Sequence, residues 1–407
     1  MKAELLAISI AFALGLPGLA LSAPACDADN GGLALAEGFC AQVVASGLGP
    51  VRNLVVSPEG NVFAGLRSGR AGVISLHDAD GDGRAERVQR FGESGGHSVL
   101  LTDTHLYFGE NRRIVRWPWG PGQLEPKGAL EIVVDALPRQ GSHAEKGIAI
   151  DPDGALFVSI GGPSNACAQR RRAGSPGQDP CPQLVRQAGV WRFDANTLGQ
   201  TQSPELRYAT GMRHAMALAI QPRSGALFAA INGRDQLRYW GFDDEGNAEL
   251  PAEEFVHVRE GDDFGWPYCY FDGLAGRKVL APEYGGDGKA QGLCASKAAP
   301  KVPFPAHWAP MAIAFYEGDQ FPERYRGGAF VAFRGSWNRA PRPQEGYLIA
   351  FAPFANGAPR GSFETFASPE GEPTSIRFTG VALGPEGSLY VASESAGTVW
   401  RISHAAN

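Results

Sequence analysis

The chain has 407 residues and a formal net charge of -6, and 43% of its residues are hydrophobic. That length and apolar content support a sizeable globular core and exclude a disordered chain, and the acidic balance excludes a broad basic face for nucleic acid or an anionic membrane. With 54 glycines and 30 prolines, the composition favours many short strands joined by turns, so all-β is the predicted fold class.

The first 23 residues are predicted to be a secretory signal peptide. Lys2 precedes an apolar run from Leu5 to Leu21, and the small residues Ser22 and Ala23 then form a typical cleavage site. A retained membrane anchor is the alternative, but Pro17 interrupts the run and no charged stop-transfer flank follows. We therefore expect a periplasmic or secreted protein whose mature chain, residues 24–407, is not inserted in a membrane.

Six cysteines fit the oxidising compartment that export implies. Pairing between neighbours in sequence would join Cys26 to Cys40, Cys167 to Cys181 and Cys269 to Cys294, although six cysteines allow 15 connectivities. A zinc site is disfavoured because the sequence has no CxxC pair, and the absence of CxxCH excludes covalent c-type haem on this chain.

A turn followed by a strand recurs along the chain. The copies are SPEGNVFAGL from Ser57, DPDGALFVSI from Asp151, QPRSGALFAAI from Gln221 and GPEGSLYVAS from Gly384, with weaker copies from Leu101 and Tyr325. Proline and glycine form the turn, and alternating apolar and small residues predict a buried strand. The irregular spacing is unsuited to a solenoid but suits blades with insertions, so the sequence predicts a single domain that is a six-bladed β-propeller.

The two ends of the propeller are predicted to share one blade. GFCAQVVASGL from Gly38 precedes the first full repeat and GTVWRIS from Gly397 closes the last, so their pairing would close the ring and remove free sheet edges. A long insertion is expected around residues 234–324, where strand signals are few. Long ordered insertions of this kind are usually functional.

Polar side chains recur at matching positions before three of the repeats. His143 and Arg213 each lie nine residues before the proline of their repeat, and Arg377 lies eight before its own. Such positions converge at the mouth of a propeller's central channel, where loops from every blade meet and ligands bind. We therefore predict that these residues share one site.

The residue types at this site suggest an anionic ligand and a general base. Arg213, Arg334 and Arg377, with Lys146, would form a cationic pocket for carboxylates or phosphates, unless each arginine pairs with a local carboxylate. The imidazole of His143 titrates near neutral pH and can take a proton from a hydroxyl, although a histidine before a strand is more often a structural hydrogen-bonding residue.

Three other motifs carry weaker signals. Ser336 in FRGSWNR lacks the GxSxG pattern of serine hydrolases. DADGDGRAE from Asp78 resembles the start of an EF-hand loop, but it lacks the glutamate at the twelfth position and the flanking helices, so a solvated acidic turn is predicted. NGRDQL from Asn232 and EGDDFGWPYCYFD from Glu260 offer carbonyls and carboxylates that suit calcium.

Several segments on the predicted loops are distinctive in order and spacing. They are SHAEKGIAIDPDGALFVSIGGPSNAC, YATGMRHAMALAI, GRDQL, EGDDFGWPYCY, FPAHWAPMAIAFYEG and FRGSWNRAP. From about Gly38 to Ile402, the chain resembles the quinoprotein sugar dehydrogenases of the glucose/sorbosone dehydrogenase family.

The resemblance implies a six-bladed propeller that binds pyrroloquinoline quinone (PQQ), a tricarboxylate ortho-quinone, with calcium beside it. It implies that His143 removes a proton from a sugar or aldehyde-hydrate hydroxyl while hydride passes to a quinone carbonyl, which calcium and Arg213 polarise. An external electron acceptor is expected. The predicted cofactor contacts are Lys146, Arg213, His214, Arg334 and Arg377, and the predicted calcium carbonyls are those of Gly233 and Arg234.

Four residues depart from the family pattern. His214 stands where the family usually has asparagine, Arg334 where close relatives commonly have histidine, and Glu394 with Ser395 where the last blade often has two aspartates. An alternative prediction is therefore a propeller that binds an anionic ligand without turnover, because fold does not fix function. A calcium-dependent lactonase is a third hypothesis, but it would need acidic residues at positions that are mostly basic here.

Overall fold

The structure is a computed structural model that describes residues 26–69, 71–170, 172 and 174–404. The predicted signal peptide lies outside the described residues. Within these ranges the chain is almost entirely strand and turn, and α1 (Asp244–Glu249) is the one α-helix. We find no helix in the described chain with the length and hydropathy of a membrane span.

The first half of the chain forms three blades of a propeller. Strands β1 (Leu33–Leu35) and β2 (Phe39–Ala45) come first. Blade 1 contains β3 (Val51–Val56), β4 (Val62–Leu66), β5 (Val73–His77) and β6 (Arg87–Phe91). Blade 2 contains β7 (Gly96–Leu101), β8 (His105–Glu110), β9 (Ile114–Pro118) and β10 (Glu131–Asp135). Blade 3 contains β11 (Ile148–Ile150), β12 (Ala155–Ile160), β13 (Gly189–Asp194) and β15 (Arg207–Thr210). The short strand β14 (Gln200–Thr201), between β13 and β15 in the chain, pairs with the edge of blade 2.

The second half forms three more blades. Blade 4 contains β16 (Ala217–Ile220), β17 (Leu227–Ile231), β18 (Glu253–Val258) and, after the hairpin of β19 (Cys269–Asp272) and β20 (Arg277–Leu280), β21 (Val302–Phe304). Blade 5 contains β22 (Pro310–Phe315), β23 (Ala329–Arg334), β24 (Tyr347–Ala352) and, after the hairpin of β25 (Phe354–Ala355) and β26 (Ala358–Pro359), β27 (Glu364–Pro369) with β1 at its edge. Blade 6 contains β28 (Phe378–Leu383), β29 (Leu389–Ser393), β30 (Thr398–His404) and β2.

Short 3-10 helices lie in the connections. They are Pro182–Val185, Pro204–Leu206, Leu237–Trp240, Pro282–Tyr284, Gly292–Ser296, Glu323–Tyr325 and Pro373–Ser375. The prolines that open four of them have a fixed φ compatible with the first helical turn and no N–H that needs a partner there.

The predicted six-bladed propeller is confirmed, and the sequence repeat corresponds to one strand of each blade. The first strands β3, β7, β11, β16, β22 and β28 contact one another in a ring around the central axis. The repeated turn leads from this inner strand into the second strand, for example β4, β17 and β29, whose residues are all buried. Each blade packs against neighbours on both faces, which explains why apolar residues dominate this strand.

The ring closes as predicted, because β2 from the start of the described chain pairs with β30 from its end. The antiparallel register places Phe39 opposite His404 and Val43 opposite Trp400. The indole Nε1 of Trp400 also donates to the carbonyl of Gly31 at 3.0 Å. Pairing of these strands completes blade 6 with four strands, and β2 covers the edge that β30 would otherwise expose.

The segment 234–324, which the sequence suggested as an insertion, also contributes strands to two blades. Strands β18 and β21 belong to blade 4 and β22 begins blade 5. The sequence signal for β18 is weak because it begins with Glu253 and Glu254, both of which are buried. Lys278 from the inserted hairpin pairs with Glu254 at 2.7 Å, so the insertion supplies the charge that lets a glutamate lie inside the sheet.

All three predicted disulfides are present, joining Cys26 to Cys40, Cys167 to Cys181 and Cys269 to Cys294. In the part of the chain that the structure describes, no cysteine is free. The second and third disulfides fix loops on the face of the propeller that carries the predicted site residues, so they stabilise walls around the channel mouth.

Candidate functional site

A cavity of about 660 Å³ opens at the mouth of the central channel. Each blade contributes to its wall: Arg52 from blade 1, Asn111 from blade 2, His143 before blade 3, His214 before blade 4, Met311 from blade 5 and Arg377 before blade 6. Its volume is that of a small-molecule site. The matching offsets in the sequence therefore correspond to one real convergence in space.

A histidine crosses the central channel at the inner end of this cavity. His97 lies on the inner strand of blade 2, and its Nε2 is 3.0 Å from the carbonyl of Met311 on the inner strand of blade 5. Blades 2 and 5 face each other across the ring of six. The imidazole is fully buried, which lowers its pKa to about 4 and keeps it neutral at physiological pH, and Arg52 adds to the effect.

His143 is held as a neutral base whose Nε2 has no hydrogen-bond partner among the described residues. Its Nδ1 donates to the carbonyl of Gly162 at 2.6 Å, so the Nε2 lone pair remains available to a ligand in the cavity. Burial and, after it, the positive charge of Arg213 together lower the pKa of His143 to about 4. The same Gly162 donates its N–H to the carbonyl of Arg213 at 2.7 Å, which ties the loops before blades 3 and 4 together.

The ring of His143 stacks on that of His214, with ring centroids 4.6 Å apart. His214 is buried, and its pKa lies well below the usual value because of burial and the neighbouring His143 and Arg213. Among the described residues its Nδ1 has no hydrogen-bond partner. A Cβ on Gly161 would lie 2.7 Å from both that nitrogen and the His143 Cβ, so the stack needs glycine there.

Two contacts fix the guanidinium of Arg213. Its Nη1 donates to the carbonyl of Gly233 at 2.6 Å, and its Nη2 donates to Asp235 at 2.8 Å. Burial opposes ionisation of Asp235, but the charge of Arg213 and the hydrogen bond with His307 prevail and lower the pKa of its carboxyl to about 2. A permanent ion pair therefore borders the Gly233 carbonyl.

Oxygen atoms gather around Gly233. Its N–H donates to Glu253 at 2.6 Å, and Glu253 also accepts from the N–H of Ala309 at 3.0 Å. Burial raises the pKa of Glu253 to about 7 against the effect of these two donors. A main-chain carbonyl with carboxylates nearby is the kind of oxygen environment that calcium prefers.

The remaining predicted arginines differ in their pairing. Arg334 forms a short ion pair with Glu394, which also lies 3.1 Å from Arg52. Arg377 lies over the ring of Tyr347 at 5.5 Å, and no described carboxylate pairs with it. The expectation of local pairing thus holds for Arg213 and Arg334, and Arg377 retains an uncompensated charge at the mouth.

Two residues that the sequence predicted for the site, Lys146 and Arg234, do not line the central cavity. Lys146 is fully buried and donates to the carbonyl of Ala144, and burial lowers its pKa to about 8. It is not among the described residues that line the cavity. The guanidinium of Arg234 pairs with Glu283 outside the cavity. The structure brings together His143, Arg213, His214, Gly233, Arg334 and Arg377.

Some lining residues were not expected from the sequence. Asp235 lies in the NGRDQL segment, whose carboxylate suits calcium, but no pattern in the sequence indicates its pairing with Arg213. Arg52 is on the inner strand of blade 1, where it lies 3.1 Å from Glu145. Its distance from the repeat turn differs from that of His143, so the common offset does not find it.

The acidic motif from Asp78 forms an exposed cluster on the turn between β5 and β6. Carboxylate oxygens of Asp78, Asp80, Asp82 and Glu86 lie within 4.8 Å of one another. Three of the four side chains are exposed and Asp78 is half-buried. None of these described residues lines the central cavity, so the cluster is separate from the site.

The relationship to known proteins rests on most of the chain. The TrAA12-like family model matches residues 33–405. The chain belongs to the TrAA12-like family. An iodide structure of the Trichoderma reesei carbohydrate-active enzymes family AA12 protein is similar to this TrAA12-like chain with a TM-score of 0.76 and 18% identity, over 92% of this chain and 98% of that one. A calcium structure from the same organism gives 0.73 and 18%, over 92% and 97%.

Two further relatives are similar to this TrAA12-like chain. The holo form of the pyranose dehydrogenase PQQ domain from Coprinopsis cinerea has a TM-score of 0.73 and 17% identity, over 91% of this chain and 97% of that one. An uncharacterized protein from Borreliella burgdorferi is 32% identical over 133 residues, which are 32% of this chain and 31% of the relative. The solved structures establish the propeller fold.

Proposed function

We propose that the protein is an exported sugar or aldose dehydrogenase that uses PQQ and calcium. The single observation that carries the proposal is the convergence, in one cavity, of a neutral His143 with a free Nε2 and the pair of Arg213 with the Gly233 carbonyl. Membership of the TrAA12-like family and the similarity to the PQQ domain of a pyranose dehydrogenase support it.

The residues of the cavity fit a tricarboxylate cofactor. Arg377 has no carboxylate partner among the described residues, and Arg334 is 30% exposed beside its partner. Both guanidinium groups can donate paired hydrogen bonds to a carboxylate. The Nδ1 of His214 and the Nε of Arg213 are buried without a partner in the described chain, which favours a polar ligand over an apolar one.

Calcium fits the Gly233 side of the cavity. The carbonyl of Gly233 and the carboxylate of Asp235 are hard oxygen ligands, and in this structure both accept hydrogen bonds from Arg213. The similar Trichoderma reesei calcium structure supports a role for this ion. The expected carbonyl of Arg234 remains part of the proposal, since only the side chain of Arg234 is directed elsewhere.

In the proposed reaction, His143 acts as the general base. Its Nε2 takes the proton from the sugar hydroxyl, and the Gly162 carbonyl holds the tautomer and stabilises the imidazolium that forms. When bound, the quinone supplies a two-electron acceptor for the hydride that leaves the sugar carbon. Arg213 provides positive charge where negative charge develops, and Asp235 fixes its position. An external acceptor then removes the electrons.

A second candidate is a protein that binds an anionic ligand without turnover. The observation in its favour is that Glu394 and Asp235 neutralise two of the three arginines that would hold the cofactor.

The proposed export of the protein is supported by its three disulfides, which form in oxidising compartments. Periplasmic or culture-medium fractionation of cells that express the full chain tests it.

The test is to add PQQ and calcium to the mature protein, record the absorbance spectrum, and then add a panel of aldoses without oxygen. We expect binding at micromolar cofactor and spectral reduction by at least one sugar. Arg377→Ala should weaken cofactor binding about 10- to 100-fold, because a charged hydrogen bond is lost. The matched control is Arg360→Ala, which removes an exposed arginine outside the cavity.

The variant His143→Ala distinguishes the dehydrogenase from the protein that binds an anionic ligand without turnover. We expect this variant to bind PQQ and lose reduction by sugar, with kcat lowered about 10²- to 10⁴-fold. Binding by the unaltered protein without reduction by any aldose would favour the non-catalytic candidate. No cofactor binding at micromolar concentration would overturn the quinoprotein proposal.

A further inference from the structure

A second cavity, of about 470 Å³, lies beside the central one. Described residues of the loop closed by the Cys167–Cys181 disulfide form one wall, and the short helix Leu237–Trp240 forms another. Asp235 lines the central cavity, and the next residue, Gln236, lines the second. The two cavities are therefore adjacent at this point of the backbone.

Amide side chains dominate the polar lining of this second cavity. They are Asn165, Gln169, Gln178, Gln183 and Gln236. Gln183 accepts a hydrogen bond from Ser164 at 2.8 Å, and its NH₂ group has no partner among the described residues. The side chain of Gln236 has no partner within the described residues. Free amides offer both donors and acceptors, which is what the hydroxyls of a sugar require.

An exposed aromatic ring stands at the rim. Tyr239 is 51% exposed, and it lines the cavity next to Trp240, whose Nε1 donates to Glu283 at 3.0 Å. Large exposed aromatic side chains mark binding surfaces, and a tyrosine ring presents a flat apolar face with a polar end. The apolar C–H face of a pyranose ring is a matching partner for it.

The charges of the lining select an acidic ligand. Arg234 and Glu283 pair with each other, so they compensate at the back of the cavity. Arg170 and Arg172 line the exposed part, and no described acidic side chain forms an ion pair with either. Two uncompensated guanidinium groups in a protein of net charge -6 favour a carboxylate.

The cavity walls are held in place before any ligand binds. The hydroxyl of Tyr284 donates to the carbonyls of Ala166 at 3.2 Å and Gln178 at 3.3 Å. Gln178 in turn donates to Ala168 at 3.1 Å. Gln236 has a left-handed φ of 66°, which its surroundings must stabilise because it is not glycine. A prearranged site loses less entropy on binding.

We propose that this second cavity is a binding subsite for an acidic sugar unit, a uronic acid, in a saccharide longer than one unit. The ring would pack on Tyr239, the hydroxyls would bond to Gln183 and Gln236, and the carboxylate would bind Arg170 and Arg172. This inference rests on the proposed function, because it assigns the subsite to a substrate whose reacting unit enters the adjacent central cavity.

The test is calorimetric titration of the mature protein, without added cofactor, with trigalacturonate whose reducing end has been converted to the alditol. We expect binding that weakens about tenfold in Tyr239→Ala, which loses the ring contact, and is retained in Tyr239→Phe. Arg170→Ala with Arg172→Ala should also weaken it about tenfold. A neutral trisaccharide alditol should bind at least about tenfold more weakly, because it lacks the carboxylates.

Two controls locate the binding. Leu274→Ala, at a side chain that is 75% exposed, and Leu198→Ala, at one that is 48% exposed, both lie outside the two cavities and should leave the affinity unchanged. No binding of the acidic trisaccharide, equal binding of the neutral one, or full affinity in Tyr239→Ala would overturn the inference. Because this assay needs no redox chemistry, such a result would leave PQQ reduction by simple sugars, and so the proposed function, intact.

Discussion

His143 shows how burial and a neighbouring charge act on a single side chain. Both favour the neutral imidazole, and its pKa of about 4 keeps the base form present well below neutral pH. For the proposed dehydrogenase, we expect kcat/KM to fall with acidity only near pH 4, since protonation removes the lone pair that accepts the hydroxyl proton. A pH–rate profile measures this limb.

The same pKa can be measured without turnover. Titration of the His143 ring protons by nuclear magnetic resonance should give a midpoint near the kinetic one. Arg213→Gln should raise that midpoint, because it removes a positive charge that disfavours the imidazolium. A midpoint close to 6.5 in the unaltered protein would contradict this description of the site.

Gly161 gives a second expectation at this scale. In Gly161→Ala the new Cβ would collide with His143 and His214, so the stacked imidazoles must separate. We expect kcat to fall at least about tenfold, since small displacements of positioned groups cost large factors in rate. Gly120→Ala, where the added methyl has its nearest neighbour at 4.0 Å, is the control and should keep full activity.

The sequence could indicate many of these residues but not their partners. His143, Arg213 and Arg377 share an offset from a repeated turn, and equivalent offsets in a propeller reach equivalent depths. The ion pairs of Arg213 with Asp235 and of Arg334 with Glu394 join residues 22 and 60 positions apart. Only the three-dimensional path of the loops brings such groups together, so the compensation of charge was not visible beforehand.

At the scale of secondary-structure elements, the pairing of β2 with β30 closes the ring of blades. Trp400 is buried there in a core cluster formed by residues of blades 5 and 6, and its indole N–H donates to the carbonyl of Gly31. We expect Trp400→Ala to lower the free energy of unfolding by about 3–5 kcal/mol, through lost burial and a new cavity. Urea denaturation measures this. Leu198→Ala, at a side chain that is 48% exposed, should change it by no more than about 0.5 kcal/mol.

The predictability of each strand follows from its place in a blade. Second strands such as β12 and β29 are buried on both faces, so their sequences are continuously apolar and recognisable. Strand β18 was missed because Glu253 and Glu254 are buried within it. Their compensation by backbone N–H groups and by Lys278 comes from other elements, which a local pattern does not contain.

At the scale of the whole molecule, disulfides brace the face that bears both cavities. Cys269 and Cys294 close a loop with a sequence separation of 25 residues. Replacing both with serine should lower the free energy of unfolding by about 3–4 kcal/mol, because the unfolded chain gains entropy. Thermal unfolding followed by circular dichroism checks this. An unchanged Tm would show that the folded insertion contributes nothing to the stability of the ring.

The hydrogen bond between His97 and Met311 affects how substrates enter the cavity and how products leave it. Because this buried contact spans opposite blades, it obstructs the central channel, and we expect sugar and acceptor to enter the proposed dehydrogenase through the same mouth. We then expect the sugar and the electron acceptor to bind alternately, with the oxidised sugar released before the acceptor binds. Double-reciprocal plots at several acceptor concentrations should be parallel lines, and excess sugar should inhibit by competing with the acceptor for entry.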